Sequence, residues 1–365
     1  MTALVAQPVL DALRFQRAAR ATSPLLCIVL DATLADIARG GPCAAVLARV
    51  DPALDPIADA VTLRFLGAIH RVVLEGRAPE LAAHYPSAGG TFTPDDHDGI
   101  TEVFVATVAA HADEVTDGLR RPVQTNEAGR SAALLPGFLS IADSLGLPLR
   151  ILEVGASAGL NLRWDRYRYE GGAAGSVWGH ESSALRFTDV YSEPAPDLAV
   201  AATVAERRGC DANPIDANTA EGRLTLRSFI WPDQPERHAT LEAALAIAAE
   251  VPATVERADA GEWVEARLAE DSGGCATVVV HSIVWQYLTL ATRRRILAAL
   301  ERAGAAATRE QPLAWLRMEP GADFAKAAEV TLTTWPGGDE RLLARSGYHG
   351  RPVRMVGGGR IRPML

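Results

Sequence analysis

Residues 150–161 constrain the fold of this chain most, because an apolar stretch runs through an acidic residue directly into a turn of small residues. The stretch 151–154 is typical of a buried β-strand, and Glu153 lies near its carboxyl end. The small residues that follow allow the backbone to turn sharply and to approach a bound molecule closely. We therefore predict a strand and a ligand-binding turn, with the ligand contacted by Glu153, Gly155, Ser157, Gly159 and Asn161.

The composition of the chain is that of a folded protein with an acidic surface. It has 365 residues, 48% of them apolar, and a net charge of -9, so it is long enough for two structural units with sizeable cores. The negative charge argues against binding to a nucleic-acid backbone, which needs a basic face. A Walker-type phosphate loop is also excluded, because the sequence lacks its Gly-Lys-Ser/Thr ending.

The cysteines and the apolar segments indicate a cytoplasmic protein. The four cysteines are far apart, form no Cys-x-x-Cys pair and accompany no secretory signal, which we interpret as a reducing compartment. An apolar run at residues 25–34 is interrupted by Asp31 and is shorter than the roughly 20 residues that span a bilayer. We expect no membrane role and no metal, since the acidic run at residues 95–98 is better explained by a helix start after Pro94.

The pattern of apolar residues changes near residue 148. Before it, apolar residues recur at three- and four-residue spacings, as in amphipathic helices. After it, predicted strands alternate with predicted helices, which requires a mainly parallel sheet covered by helices on both faces. We therefore predict a helical domain over residues 1–148 and a doubly wound α/β domain over residues 149–365. The predicted helices of the first domain are residues 10–21, 45–50, 56–75 and 100–119.

The α/β domain is predicted to end in an antiparallel hairpin. Residues 329–335 and 341–355 have the character of strands, and the Pro-Gly-Gly-Asp sequence between them is a turn signal. We expect this hairpin at the edge of the sheet. The predicted strands before it are residues 149–154, 254–257, 276–284 and 313–318, and the predicted helices are residues 239–250, 262–270 and 291–303.

The turn after the first strand fits two different chemistries. As acid-x-Gly-x-Ser-x-Gly it resembles the first motif of class I S-adenosylmethionine-dependent methyltransferases, with Ser157 in place of the middle glycine. As Gly-x-Ser-x-Gly it matches the nucleophile elbow of α/β-hydrolases, with Ser157 as nucleophile and His281 or His349 as the histidine. An ordinary tight turn would leave the same residues without a catalytic role. The terminal hairpin favours the methyltransferase, in which this turn follows the first strand of the sheet.

The resemblance to class I methyltransferases implies a Rossmann-like fold that binds S-adenosylmethionine, and roles for further residues. Asp211, after a second strand over residues 204–208, would hydrogen-bond the ribose hydroxyls, and Asp259 would face the adenine amino group. A turn or a helix cap explains these aspartates equally well. His281 and Ser282 lie where the predicted strand 276–284 emerges toward the ligand crevice, in the region that usually presents the acceptor, and His281 would remove a proton from the acceptor. The alternative for His281 is a hydrogen-bonded core residue.

Six segments carry a second resemblance: residues 124–130, 152–162, 207–216, 229–234, 281–288 and 348–350. In these segments the chain is similar, over nearly its whole length, to a bacterial domain-of-unknown-function family, number 2332. The resemblance implies a shared fold and leaves the reaction open. Residues 124–130 are predicted to start a helix with Glu127 and Arg130 on one face, which either closes over the ligand crevice or forms a surface pair behind Thr125 as N-cap.

These patterns predict a cytoplasmic methyltransferase that uses S-adenosylmethionine on an unidentified small molecule, with residues 1–148 forming part of the acceptor pocket. The alternatives are a serine hydrolase using Ser157 and a non-catalytic protein that binds a nucleoside-like ligand or a protein partner. Residues 160–169 depart from the methyltransferase pattern. They are aromatic and charged, whereas the usual cofactor-binding helix is longer and more apolar on one face.

Overall fold

The computed structural model describes residues 4–19, 23–171, 176–321 and 327–356. Within these ranges the chain combines an N-terminal helical region with a large, mostly parallel sheet flanked by helices. The α-helices are α1 (Gln7–Ala19), α2 (Pro24–Ala38), α3 (Pro42–Leu47), α4 (Val61–Leu74), α5 (Pro79–Ala82), α6 (His97–Ala110), α7 (Ala112–Gly118), α8 (Arg130–Leu145), α9 (Ala220–Ser228), α10 (Pro235–Glu250), α11 (Ala260–Leu268) and α12 (Leu290–Ala306). The strands are β1 (Leu149–Val154), β2 (Arg168–Glu170), β3 (Val177–Gly179), β4 (Arg186–Phe187), β5 (Tyr191–Ser192), β6 (Val204–Asp211), β7 (Thr254–Arg257), β8 (Ala276–Ser282), β9 (Leu313–Pro320), β10 (Ala328–Trp335), β11 (Asp339–Ser346) and β12 (Val353–Met355). Short 3-10 helices cover Pro86–Ala88, Asn161–Arg166 and Trp285–Tyr287.

The compact units of the fold divide the chain differently from the boundary predicted at residue 148. The first unit contains Met1–Thr125 and Thr219–Ala239, and the second contains Asn126–Asn218 and Thr240–Leu365. Helix α8 belongs to the second unit because it packs against β8, β9, β10 and β11. The segment Thr219–Ala239 belongs to the first unit because α9 packs against α4.

The first unit is built around the apolar faces of its helices. In α4 the residues Phe65, Ile69 and Val72 are at most 3% exposed and follow the spacing of one helical face. The apolar run at residues 25–34 lies inside α2, where it is buried within the same core. Helix α6 begins at His97, which confirms the helix start after Pro94 that was predicted to explain the acidic run at residues 95–98. Among the helices described, none is long and apolar enough to cross a membrane.

The segment Thr219–Ala239 is fastened to the first unit by Asp233. The carboxylate of Asp233 accepts hydrogen bonds from the Ser23 hydroxyl at 2.7 and 2.8 Å and from the Leu25 backbone N–H at 3.2 Å. These donors lie at the N-terminus of α2, where unpaired N–H groups favour a negative charge. Trp231, which is close to Asp233 in the sequence, packs into the hydrophobic core of the first unit. The segment therefore contributes both a helix cap and a core residue.

The second unit contains a sheet with strand order β5-β12-β11-β10-β9-β8-β1-β6-β7. All residues of β1 are buried, as expected for a central strand covered on both faces. The strands from β7 to β9 in this order run parallel, and β10, β11 and β12 follow in antiparallel pairing. The predicted strands and helices of this region are thus present, with ends that differ by a few residues.

The predicted C-terminal hairpin is confirmed in β10 and β11, which pair antiparallel. Its second strand is shorter than predicted, because β11 ends at Ser346 and residues 353–355 form the separate strand β12. Gly350, with φ 83°, and Pro352, which has no N–H to donate, interrupt the ladder between them. The hairpin does not lie at the edge of the sheet, where it was predicted, because β12 and then β5 follow β11 and form the edge of the sheet.

The stretch after Gly159 forms the short 3-10 helix Asn161–Arg166 and then β2, which belongs to a small sheet of order β3-β2-β4. This stretch forms no long helix because its aromatic residues pack into the core. Trp164, Tyr167 and Tyr169 are fully buried. The Trp164 ring stacks on Phe138 of α8 at a centroid distance of 4.3 Å. The expected departure from the methyltransferase pattern is confirmed, because this stretch is packed as core.

We expect Asp233→Ala to lower the free energy of unfolding by about 1–3 kcal/mol, because two donors at the start of α2 lose a charged acceptor. Urea unfolding followed by far-UV circular dichroism measures this change. The matched control is Asp98→Ala, whose side chain is fully exposed and whose loss should cost less than about 0.5 kcal/mol. Equal stability of the two variants would contradict the capping role of Asp233.

Candidate functional site

The order of the strands reverses between β1 and β8. From β1 the chain adds β6 and β7 on one side of the sheet, and it then adds β8 and β9 on the other. In doubly wound sheets, ligands bind in the crevice beyond the carboxyl ends of the strands at such a reversal. Glu153 lies near the end of β1, and His281 and Ser282 end β8. The structure therefore places these three predicted residues at the reversal.

The turns that leave β1 and β8 each contain a residue with a left-handed backbone. Ser157 has φ 52° and Ile283 has φ 50°. This conformation is rare for residues with side chains, most of all for a β-branched isoleucine, and costs roughly 1–3 kcal/mol. Such strain persists where the surrounding structure fixes it, and it collects at ligand and active sites. It marks the same place as the reversal of strand order.

Glu153 is a buried carboxyl group with an open hydrogen-bonding position. The residue is 2% exposed, and its Oε2 atom has no hydrogen-bond partner within the described ranges. Burial raises the pKa of Glu153 to about 8, while Arg130 opposes this rise and Asp211 adds to it. At neutral pH the group is mostly protonated and can donate a hydrogen bond. A cationic ligand would convert it to a carboxylate.

The first turn of α8 links the ends of β1 and β8. Arg130 donates from Nη1 to the carbonyl of Ser282 at 3.1 Å and from Nε to the carbonyl of Tyr348 at 3.2 Å. The Ser131 hydroxyl donates to Oδ1 of Asn161 at 2.7 Å. The predicted ligand contact Asn161 is therefore a buried anchor of the turn to α8.

Glu127 and His349 form a second pair beside Arg130. Oε2 of Glu127 lies 3.3 Å from Nδ1 of His349, and the side chains are 5% and 40% exposed, respectively. A Cβ atom on Gly129 would lie 2.5 Å from the carbonyl oxygen of His349, so the two segments meet backbone to backbone. The arrangement gives a half-exposed imidazole oriented by a buried carboxylate, which is a common form of proton-transfer group.

Of the two alternatives for Glu127 and Arg130, the surface pair behind Thr125 as N-cap is wrong. Glu127 and Arg130 are buried, at 6% and 9% exposure, and each contacts the loop around Tyr348 and His349. Helix α8 begins at Arg130 with Gly129 as N-cap. Both side chains therefore point to the inside of the second unit.

Glu153 and His281 lie on opposite faces of the sheet. In the register of β1 and β8, Glu153 is opposite Val280 and Val154 is opposite His281. Because side chains alternate along a strand, Glu153 and Val280 face one side of the sheet, and Val154 and His281 face the other. Val280 is next to Leu316, which packs against α8, whereas Val154 packs with α11 and α12. A ligand would contact both Glu153 and His281 only by lying across the carboxyl edge of the sheet.

His281 is held by a glutamate that the sequence analysis missed. Nδ1 of His281 lies 2.7 Å from Oε1 of Glu319 on β9, and the imidazole stacks on Trp285 at a centroid distance of 5.2 Å. The residue is 1% exposed, and its Nε2 has no hydrogen-bond partner in the described part of the chain. Glu319 could have been found from its position, because it lies at the carboxyl end of the strand beside β8.

In the turn after β1, backbone N–H groups donate hydrogen bonds to other parts of the protein. The N–H groups of Gly155 and Ala156 donate to the carbonyl of Cys210, and that of Ser157 donates to Oδ2 of Asp211 at 2.9 Å. A Cβ atom on Gly155 would lie 2.5 Å from Cγ2 of Val284. Gly155 and Gly159 have φ near 70°, so both positions suit glycine. Val284 thus packs directly over Gly155.

The predicted cofactor aspartates both bind backbone groups. Asp211 ends β6, and its Oδ1 accepts from the N–H of Asn213 at 2.7 Å. Asp259 is the N-cap of α11, with Oδ1 accepting from Gly261 and Glu262 at 2.9 and 3.1 Å. The turn and cap roles weighed for these residues are therefore present. Their contacts with ribose and adenine remain predictions.

Comparison with known proteins identifies the family of the chain. A family model described as "Uncharacterized protein conserved in bacteria (DUF2332)" matches residues 12–355. The chain belongs to this family. Searches of curated proteins and of solved structures gave no match.

Most segments by which the sequence resembles DUF2332 meet at the reversal of the sheet. Residues 126–130 and 348–350 meet through Arg130, and residues 281–288 cover Gly155 in the segment 152–162. Residues 207–216 join them through the bond from Ser157 to Asp211. Most of the segments that carry the family resemblance thus lie at the candidate site of the second unit.

We expect Glu153→Gln to stabilise the protein increasingly as the pH rises. The folded-state pKa of Glu153, about 8, exceeds the ordinary value of 4.5, so the native state holds the extra proton between these values. Stability from this group is therefore lost as the pH rises through that window, by on the order of a few kcal/mol, and the neutral amide removes the loss.

The measurement is urea unfolding of both proteins at about pH 5 and about pH 8. Tryptophan fluorescence reports mainly the second unit, because every tryptophan except Trp231 lies there. A difference in stability that stays constant across this range would rule out the buried, protonated carboxyl group.

Proposed function

We propose that the second unit is an S-adenosylmethionine-dependent methyltransferase acting on a small molecule. The observation that carries the proposal is Glu153, whose buried Oε2 has no partner among the described residues and lies at the reversal of the sheet. The methyl donor has an ammonium group and a positively charged sulfur. A carboxyl group in this position suits such a cation, because the opposite charge favours its ionised form.

The fit of the donor depends on the turn after β1. Glu153 offers a buried oxygen, Asp211 ends β6, and Asp259 follows β7, which is the order that the methyltransferase resemblance requires. Val284, however, fills the space over Gly155. The proposal therefore requires Val284 to move before the donor binds.

The chemistry requires few groups from the protein. When bound, S-adenosylmethionine supplies a methyl group on a positively charged sulfur, and holding it in line with the acceptor is the main contribution to the rate. His281 would accept the proton that the acceptor loses, at Nε2, because its Nδ1–H is donated to Glu319. Since Glu153 and His281 lie on opposite faces, Glu153 would hold the donor from the α8 side and His281 would face the acceptor from the α12 side.

S-Adenosylhomocysteine should raise the melting temperature of the protein. At 100 times the dissociation constant it adds about 2.7 kcal/mol, which corresponds to a shift of several degrees. Glu153→Gln should weaken binding at least about tenfold, since a neutral amide cannot form an ion pair with the ammonium group. Glu206→Gln, in a strand of the same sheet but paired with Arg150 near the start of β1, should bind as the wild type does. Absence of any shift in the wild type would reject the proposal.

The affinity for S-adenosylhomocysteine should also depend on pH. Glu153 has a pKa of about 8 in the folded protein and must lose its proton to pair with a cation, so binding should tighten as the pH rises toward 8. Below that pH, binding should release a proton, which titration calorimetry in buffers of different ionisation enthalpy detects. A pH-independent affinity would show that the ligand does not contact this carboxyl group.

A serine hydrolase is the second candidate, and the left-handed backbone of Ser157 favours it. In a nucleophile elbow the serine occupies a strained turn between strand and helix, as Ser157 does after β1 with φ 52°. The histidines considered for this reaction, His281 and His349, lie next to Glu319 and Glu127. Labelling by a fluorophosphonate that disappears in Ser157→Ala would support the hydrolase, and stabilisation by S-adenosylhomocysteine without labelling would support the methyltransferase.

A further inference from the structure

One oxygen of Glu319 gathers three hydrogen-bond donors at the end of β8. Oε1 lies 2.7 Å from Nδ1 of His281, 3.1 Å from the N–H of Val284 and 3.3 Å from the N–H of Trp285. The Oε2 atom is buried and has no hydrogen-bond partner in the ranges that the structure describes. Three donors on one oxygen call for a charged acceptor, because bonds to a carboxylate are roughly twice as strong as those to a neutral group.

The bond to His281 fixes which ring nitrogen carries the proton. A carboxylate only accepts, so Nδ1 of His281 must be the donor, and the neutral ring then has its lone pair on Nε2. The ring is also held in orientation by stacking on Trp285. Nε2 is therefore the basic atom, and it is the atom that lacks a partner within the described residues.

The bonds to the backbone hold the segment that covers Gly155. Val284 and Trp285 follow Ile283, whose left-handed backbone at φ 50° would relax if the segment were free. Val284 places Cγ2 at 2.5 Å from the position of a Cβ atom on Gly155. Glu319 thus connects the tautomer of His281 with the covering of the turn after β1.

We propose that Glu319 is a positioning residue that sets both the proton acceptor and the access to the donor site. Its carboxylate fixes the Nδ1-protonated tautomer of the neutral His281 ring, which leaves the lone pair on Nε2, and it keeps Val284 over Gly155 until a ligand displaces that segment. The role in methyl transfer rests on the function proposed above. The effects on the His281 ring and on the segment 283–288 follow from the unliganded protein alone and can be tested without a ligand.

The test compares the wild type with Glu319→Gln by hydrogen exchange and by NMR of the histidine ring nitrogens. The amides of Val284 and Trp285 should exchange about tenfold faster in the variant, since a neutral acceptor replaces a charged one. The His281 ring should change from a single Nδ1-protonated tautomer to a mixture. The control is Glu329→Gln, which lies directly opposite Glu319 on β10 and pairs with Arg345. It should leave both readouts at their wild-type values.

A tautomer or an exchange rate that stays at its wild-type value in Glu319→Gln overturns the proposal. If this variant does not fold, the wild type still decides, because a neutral His281 ring with its proton on Nε2 and none on Nδ1 is incompatible with the bond to Glu319. A purely structural carboxylate would alter stability without changing the ring tautomer.

The variant Val284→Ala tests the covering of Gly155 separately. It leaves the bonds to Glu319 in place but removes the methyl groups over the turn, so S-adenosylhomocysteine should bind severalfold more tightly than to the wild type. Equal affinity would overturn the covering role. Absence of binding to either protein would reject the methyltransferase while the exchange and NMR results still decide the role of Glu319.

Discussion

The burial of β1 on both faces of the sheet is the constraint on which the rest of the second unit depends. A strand in this position must be apolar, yet β1 carries Glu153 one residue before its end, at 2% exposure. Burying an ionisable group is costly unless it is neutralised or paired. Burial therefore raises the pKa of Glu153, and the positive charge of Arg130 opposes this rise. The strand order places this group at the reversal between β1 and β8, where a ligand could form a hydrogen bond with Oε2 of Glu153.

The sequence predicted those features of the fold that depend on local patterns. Continuous apolar runs identified β1 and β8, and the turn signal identified the hairpin of β10 and β11. The strand β6, which was predicted over residues 204–208, is unusually charged. Its charges are explained by the structure, since Arg207 pairs with Asp165 and Arg208 pairs with Glu256 at 2.8 Å. The charged residues of this strand, which lies between β1 and β7, are thus paired within the unit.

The features that depend on long-range pairing could not be read from the sequence. The assignment of Thr219–Ala239 to the first unit rests on contacts such as the bond from Ser23 to Asp233, between residues more than two hundred positions apart. The bond between His281 and Glu319 likewise depends on the register of β8 and β9. The sequence placed Glu153 and His281 at the same end of neighbouring strands, but a single residue of register decides which face each side chain takes.

That difference in face gives the candidate site two halves with different properties. On the α8 side, burial raises the pKa of Glu153 to about 8, so this acid is mostly protonated at neutral pH. On the α12 side, the carboxylate of Glu319 fixes His281 as a proton acceptor. The strained residue Ile283 joins the halves, because it leads from β8 into the segment that places Val284 over Gly155. A ligand that displaced Val284 would relax Ile283 but would break the bond from the Val284 N–H to Glu319, and pairing of the ligand with Glu153 would have to offset that cost.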